Sequence, residues 1–214
     1  MTTPVPGYFI TVEGTEGAGK STCIQYVQQW AESNSLPLLC TREPGGTPLA
    51  EQIREILLET RAEKVDSLAE LLLVFAARAQ HLNSWIRPNL EAGKWVLSDR
   101  FTDATYAYQG GGRGLSNHQI AELEKLVQGD FQPQLTLLLD LPVELGLERA
   151  RQRSEPDRFE LEQQAFFEQV RARYRERADE HPDRIKVVDA SRSPEQVGQQ
   201  IVGILDDWFA DLSL

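Results

Sequence analysis

Short apolar runs alternate along this chain with longer stretches of helical periodicity. Five runs have the composition of β-strands: Tyr8–Glu13, Leu36–Thr41, Trp95–Asp99, Leu135–Leu141 and Ile185–Val188. Most of these runs are almost continuously apolar, which is typical of parallel strands covered on both faces. The pattern therefore favours a parallel sheet between two layers of helices.

Between the strands, the spacing of apolar residues predicts helices at about 20–34, 47–59, 67–92, 103–109, 117–128, 143–153, 160–180 and 194–210. Gly93 and Gly129 stand where helices should end, and Pro194 opens the last helix. Alternating strands and helices imply right-handed crossovers. We predict one three-layer α/β/α domain with five parallel strands and ligands at the carboxyl ends of those strands.

Composition narrows the range of functions. The 214 residues suit one domain, and the net charge of −11 argues against a broad surface for DNA or RNA. Cys23 and Cys40, the only cysteines, form no metal-binding or disulfide pattern. The N-terminal residues lack a signal sequence and no run is long enough to span a membrane. We expect a soluble cytoplasmic protein with reduced thiols.

The strongest motif follows the first strand. It has the pattern G-x-x-x-x-G-K-[ST] and consists of Gly14, Thr15, Glu16, Gly17, Ala18, Gly19, Lys20 and Ser21. Such a P-loop wraps backbone N–H groups around a phosphate, with Lys20 reaching the β- and γ-phosphates and Ser21 ligating Mg²⁺. Thr22 completes the predicted ATP site. A guanine-reading N-K-x-D segment is absent from the sequence, which argues against a GTPase switch.

Two further segments follow predicted strands. Residues 41–47, Thr-Arg-Glu-Pro-Gly-Gly-Thr, lead to a helix that carries Arg54, and they form either a ligand-binding wall or an ordinary loop. Asp99 ends the third strand and suits a Mg²⁺-associated carboxylate. Arg100, next to it, could hold a phosphate, although a structural Asp–Arg pair is the alternative.

The long third helix carries Phe75 and Arg78, which are three residues apart and so share a face. An aromatic ring beside a guanidinium could hold a nucleotide base, but ordinary core packing explains the same pattern. No Arg or Lys occupies P-loop positions 15–18, so the cation that stabilises a transferring phosphoryl must come from elsewhere. The arginine-rich stretch around 149–160 predicts a small mobile lid, unless its arginines are merely solvated.

The motifs FITVEGTEGAGKST, TREPGGT, FAAR, DRFTDATYAYQGGGRG and ERARQRSEPDRFE, taken together, resemble those of bacterial thymidylate kinases. They run from residue 8 to about 160 in the family's order, and the remaining segment is similar in pattern only. The resemblance implies a P-loop nucleoside monophosphate kinase that transfers the γ-phosphoryl of ATP to dTMP with Mg²⁺. It also implies a homodimer packed through long helices.

On the phosphate and sugar of dTMP, the resemblance implies four roles. Arg54 and Arg100 hold the phosphate, and Arg100 is also expected to contribute to catalysis. Glu16 faces the sugar and orders nearby arginines, and Glu16 and Lys20 are also expected to contribute to catalysis. Tyr108 crowds the 2′ position and so favours deoxyribose.

Around the base, the resemblance implies that Arg78 bonds the edge of thymine, that Thr105 lies near the ring, and that Gln109 helps to close the pocket. The family's stacking phenylalanine corresponds to Val74 here. Phe75 is expected to take over the stacking from the neighbouring position.

The resemblance also places the missing cation in the lid. Arg153 is the expected catalytic arginine, and Arg149 and Arg158 assist at ATP. The loop at 189–194 is expected near adenine. Two other functions remain open from the residues alone: another P-loop nucleotide or deoxynucleoside kinase, and a P-loop regulatory ATPase without a small acceptor.

Overall fold

The computed structural model describes residues 7–152 and 158–212. Five parallel strands form one sheet in the order β2-β3-β1-β4-β5. They are β1 Phe9–Glu13, β2 Leu38–Arg42, β3 Trp95–Asp99, β4 Leu135–Asp140 and β5 Ile185–Asp189. The α/β fold and the five predicted strands are thus confirmed, with small shifts at their ends.

The helices are α1 Lys20–Ser33, α2 Pro48–Leu58, α3 Ser67–His81, α4 Arg87–Glu91, α5 Thr102–Thr105, α6 Asn117–Gln128, α7 Val143–Arg151, α8 Gln164–Glu180 and α9 Pro194–Leu212. A π-helical segment, Leu82–Ile86, joins α3 and α4 into the long helix that the periodicity predicts. A second π-helical segment, Tyr106–Gly112, extends α5 beyond its predicted end. Such segments often occur at functional sites.

The helices cover both faces of the sheet. On one face, α1 and α9 pack with apolar side chains of β1, β3 and β4 in a core that includes Trp30 and Trp95. On the other face, α8 and the second π-helical segment pack over β4 and β5, around Phe167 and Tyr174. Helices on both sides explain why every residue of β1, at the centre of the sheet, is buried.

The register of the strands fixes where a ligand can bind. Val12 of β1 is level with Asp99 of β3, and Glu13 is level with Leu138 of β4. The loop after β1 therefore emerges at the centre of the carboxyl edge, with the end of β3 beside it. In open α/β sheets this edge is where ligands bind.

Within residues 7–152 and 158–212, we find no helix that is both long enough and apolar enough to cross a bilayer.

Candidate active site

The P-loop lies between β1 and α1, and steric crowding explains why it needs glycine at position 17. Gly17 has a φ of 71°, and a Cβ there would approach the Gly146 carbonyl oxygen of α7 to 1.8 Å. Lys20 begins α1, and its Nζ lies 3.3 Å from the Gly14 oxygen and 3.4 Å from that of Thr15. Burial and the charge of Arg100 lower the pKa of Lys20. The loop thus carries its lysine in an enclosed setting close to the guanidinium of Arg100.

Arg100 and Glu16 form the centre of the site. Arg100 Nη2 donates to Glu16 Oε1 at 2.9 Å, and Nη1 donates to the Gly14 oxygen at 3.1 Å. The Tyr108 hydroxyl donates to the other Glu16 oxygen, and the Arg100 guanidinium lies 4.7 Å from the Tyr108 ring centroid. Glu16 therefore contacts both the arginine and the tyrosine, one through each carboxylate oxygen.

The backbone of Arg100 is held in an unusual conformation, with a φ of 70°. Its N–H donates to the Val12 oxygen at 2.9 Å, and the next N–H, of Phe101, donates to Glu13 Oε1 at 2.7 Å. Tyr174 of α8 donates to Glu13 Oε2 at 2.7 Å. Burial and the nearby charge of Asp103 raise the pKa of Glu13 to about 8. No motif in the sequence indicated these supporting roles for Glu13 and Tyr174.

One cavity opens beside these residues, and it gathers most of the predicted acceptor site. Eight of the nine residues predicted to bind dTMP line it: Glu16, Arg54, Val74, Arg78, Arg100, Thr105, Tyr108 and Gln109. Glu43 and Pro44, from the turn for which a ligand-binding wall and an ordinary loop were both open, also line it. Residues that the sequence did not single out complete the lining: Leu57, Leu58, Phe101, Ala104 and Phe159. Among the predicted residues, Arg54 donates from Nη1 to the Pro44 oxygen at 3.0 Å, so the turn after β2 positions it.

Phe75 is the predicted residue that does not line this cavity. Its side chain is buried with Leu71, Tyr106 and Ile120. Successive residues of a helix are rotated by about 100°, so Val74, four before Arg78, points to the cavity while Phe75 points to the core. This corrects the expectation that Phe75 stacks on thymine. The predicted neighbourhood of Phe75 and Arg78 does exist, with the guanidinium 4.9 Å from the ring centroid.

Arg78 is almost fully buried and tightly held. Nε donates to Glu43 Oε2 at 2.7 Å, and Nη2 donates to Thr105 Oγ1 at 2.9 Å and to the Phe101 oxygen at 3.1 Å. Its Nη1 is buried and finds no hydrogen-bond partner within the described part of the chain. Since Arg78 lines the cavity, Nη1 is the donor left for a ligand.

Arg158 has a different environment from the predicted one. Its Nε donates to the Leu57 oxygen of α2 at 2.7 Å, and its Nη2 lies 2.7 Å from Glu70 Oε2 of α3. Glu70 is fully buried and also accepts from Gln109 Nε2 at 2.9 Å. These contacts place Arg158 on the acceptor side of the site rather than at ATP, because Glu70 is a buried counter-charge there. Phe159, the next residue, forms part of the cavity wall.

Of the other two predicted lid arginines, Arg149 lies within the described residues. Arg149 of α7 donates from Nη1 to the Ala190 oxygen at 2.9 Å, so it lies beside the loop that follows β5. That position is compatible with the predicted assistance at ATP. Arg153, the expected catalytic arginine, lies outside the described residues.

Asp99 and Ser21 were predicted to hold Mg²⁺, and the donors fit that ion. Asp99 Oδ1 is a buried carboxylate oxygen for which residues 7–152 and 158–212 supply no hydrogen-bond partner. Ser21 lies in the first turn of α1, directly after Lys20. Mg²⁺ favours such oxygen ligands and takes its remaining ones from water and substrate phosphates.

Comparisons with known proteins agree with this geometry. The family model described as thymidylate kinase matches residues 12–201. The curated thymidylate kinase of Teredinibacter turnerae is 58% identical over 200 residues, covering 94% of this chain and 98% of that protein. The thymidylate kinase of Pseudomonas syringae pv. syringae is 59% identical over 187 residues, covering 87% and 89%.

A solved structure also matches across nearly the whole chain. The crystal structure of thymidylate kinase from Ehrlichia chaffeensis superimposes with a TM-score of 0.74 at 32% identity, covering 94% of this chain and 99% of that one. The P-loop, the lined cavity and the matched sequence thus agree on one assignment: this chain belongs to the thymidylate kinase family.

Proposed function

We propose that ATP binds at the P-loop and dTMP in the adjoining cavity, and that the chain transfers the γ-phosphoryl of ATP to dTMP, giving dTDP and ADP. The observation that carries this proposal is the cavity itself, which brings Arg54, Arg78, Arg100 and Tyr108 together beside the P-loop. A regulatory ATPase without a small acceptor would have no use for such a pocket.

At the donor side, the backbone N–H groups of the P-loop and Lys20 bind the phosphates of ATP. Mg²⁺, held by Ser21 and Asp99, would neutralise charge on the β- and γ-phosphate oxygens. Arg149 assists from α7, and Arg153 supplies the lid cation that the P-loop lacks. Because a phosphate oxygen of dTMP is already anionic, no side chain has to remove a proton from the acceptor.

At the acceptor side, Arg54 and Arg100 hold the phosphate of dTMP, and the Glu16 carboxylate keeps Arg100 in place. Tyr108, fixed by the same carboxylate, occupies the space that a 2′-hydroxyl would need. Arg78 donates from Nη1 to the edge of the base, with Thr105 beside it and Gln109 closing the wall. Val74 and Phe159, rather than Phe75, supply the apolar surface for the ring.

We further propose that the chain is one catalytic domain with a lid at about 149–160, that it works as a homodimer, and that it acts in the cytoplasm. Leu68 and Leu72 of α3 are exposed, as are Leu49 and Ile56 of the neighbouring α2. This apolar face suits a second copy of the chain. Leu72→Glu should shift the mass measured by light scattering from dimer to monomer, and a dimeric variant would exclude this face.

An ADP-release assay with a panel of nucleoside monophosphates tests the function. We expect magnesium-dependent turnover with dTMP whose kcat/KM exceeds those for dCMP and dGMP by at least about a hundredfold, because buried donors reject an ill-matched base edge. Equal rates with all three nucleotides would reject dTMP as the acceptor while leaving the kinase class intact. Slow hydrolysis that ignores every monophosphate would favour the regulatory ATPase.

A further inference from the structure

A second layer of polar residues lies behind Arg78. His81, three residues further along α3, is fully buried, and its Nδ1 is 3.1 Å from Glu43 Oε1. On the other side of the ring, Nε2 is 2.8 Å from the Thr41 hydroxyl of β2. Glu43 in turn accepts from Arg78 Nε through its other oxygen at 2.7 Å. Thr41, His81 and Glu43 therefore form a continuous hydrogen-bonded chain that ends on Arg78.

Both ring nitrogens of His81 are engaged in this Thr41–His81–Glu43 chain. A carboxylate paired with a guanidinium only accepts hydrogen bonds, so His81 must donate to Glu43 from Nδ1. A hydroxyl can both donate and accept, so Thr41 satisfies Nε2. His81 thus occupies the second Glu43 oxygen.

Packing prevents the imidazole from leaving this position. The Trp85 ring stacks on His81 with centroids 5.7 Å apart and an angle of 29°. Gly46, of the turn after β2, lies so close that a Cβ there would approach His81 Nε2 to 2.3 Å. A ring enclosed in this way holds its partner carboxylate in one orientation.

We propose that His81 is a positioning residue for recognition of the nucleotide base. By fixing Glu43, it fixes the plane of the Arg78 guanidinium, so that Nη1 is presented to an acceptor atom on the base edge. Nε and Nη2 are engaged by Glu43, Phe101 and Thr105, so the direction of Nη1 is set entirely by these contacts. The inference rests on the proposed function, since it assumes that the cavity holds dTMP.

Two substitutions of His81 test the contacts of its two ring nitrogens independently. The amide nitrogen of His81→Asn can take the place of Nδ1, whereas that of His81→Gln reaches the place of Nε2. We expect His81→Asn to keep the KM for dTMP within about threefold of wild type. His81→Gln should raise this KM about tenfold, the order of effect expected when a hydrogen bond to a charged group is lost. The KM for ATP, and kcat at saturating dTMP, should change less than about twofold in both variants. Equal effects of the two variants, or parallel changes in both KM values, would overturn the proposal.

A second pair of variants serves if His81→Gln does not fold. Thr41→Val removes the hydroxyl that is hydrogen-bonded to Nε2, and Thr41→Ser restores it. We expect Thr41→Val to raise the KM for dTMP about threefold and Thr41→Ser to return it to the wild-type value. An unchanged KM in Thr41→Val would contradict the proposed chain of contacts.

Of the two carbonyl oxygens of thymine, the 4-oxo group lies on the edge away from the sugar, and we take it as the acceptor for Nη1. A dTMP analogue without it distinguishes failure of this inference from failure of the proposed function. Wild type should bind the analogue about tenfold more weakly than dTMP, and His81→Gln should add no further loss for it. If wild type turns over both nucleotides equally well, dTMP phosphorylation stands and the positioning role of His81 is rejected. If wild type phosphorylates neither, the proposed function itself fails.

Discussion

Arg100→Lys is the substitution whose effect follows most directly from the geometry of the site. The guanidinium donates from Nη2 to Glu16 at 2.9 Å, and from Nη1 to the Gly14 oxygen at 3.1 Å and the Tyr174 hydroxyl at 3.4 Å. Its side chain is only 18% exposed. A lysine keeps the charge and tolerates the same backbone conformation about as well, but its single ammonium cannot occupy both positions.

The expected loss is about one charge-assisted hydrogen bond at the reacting phosphate. Such a bond contributes about 1.5–3 kcal/mol, so kcat/KM for dTMP should fall roughly 10- to 200-fold. The KM for ATP at saturating dTMP should change less, because the P-loop itself is intact. Steady-state ADP release at varied dTMP and varied ATP measures both effects.

Arg61→Lys is the matched control. Arg61 is exposed and pairs with Glu59, an arrangement that contributes little to stability and lies outside the cavity lining. We expect wild-type kinetics from it. If Arg100→Lys also kept kcat/KM for dTMP within about threefold of wild type, the proposal that Arg100 links Glu16 and the P-loop to the acceptor phosphate would be refuted.

Three further predictions concern other parts of the site. Lys20→Ala should abolish magnesium-dependent ATP binding in calorimetry, and a retained affinity would count against the P-loop assignment. Arg153→Ala should lower kcat by about two to four decades. Arg158→Ala should mainly raise the KM for dTMP, because Arg158 pairs with Glu70 beside the cavity. If steady-state kinetics showed the kcat effect in Arg158→Ala and the KM effect in Arg153→Ala, the two roles would have to be exchanged. Glu13 has a pKa of about 8 in the folded state, against an ordinary 4.5. Between these two values the folded state retains a proton that the unfolded chain releases. The free energy of unfolding contributed by this group therefore falls as pH rises from about 4.5 to 8. Relative to wild type, Glu13→Gln should therefore gain stability over that range, on the order of a few kcal/mol by pH 8.5 in urea unfolding; a difference independent of pH would contradict the buried, protonated Glu13.

The parts of the fold that sequence could predict are those encoded locally. Apolar runs covered on both faces identify parallel strands, and the P-loop is recognisable because eight consecutive residues perform one task. The carboxyl ends of β1 and β3 could also be predicted to lie close together, because the ends of parallel strands meet at one edge of the sheet. Asp99 and Arg100 were thus placed correctly beside the P-loop.

The sequence could not predict contacts that depend on helical phase or on distant partners. Phe75 and Val74 differ by one position, and only the packing of α3 decides which faces the cavity. Glu70 is buried against Arg158, which lies 88 residues later, and no local pattern signals that pairing. Long-range ion pairs of this kind place Arg158 on the acceptor side although its sequence context suggested a lid arginine at ATP.

Transfer of a radioactive γ-phosphoryl from ATP tests the central claim most directly. With Mg²⁺ and dTMP present, the label should appear in dTDP, at a rate that depends on the dTMP concentration, with little label in inorganic phosphate. Label released only as inorganic phosphate, at a rate that added dTMP does not change, would contradict the assignment of the cavity as an acceptor site.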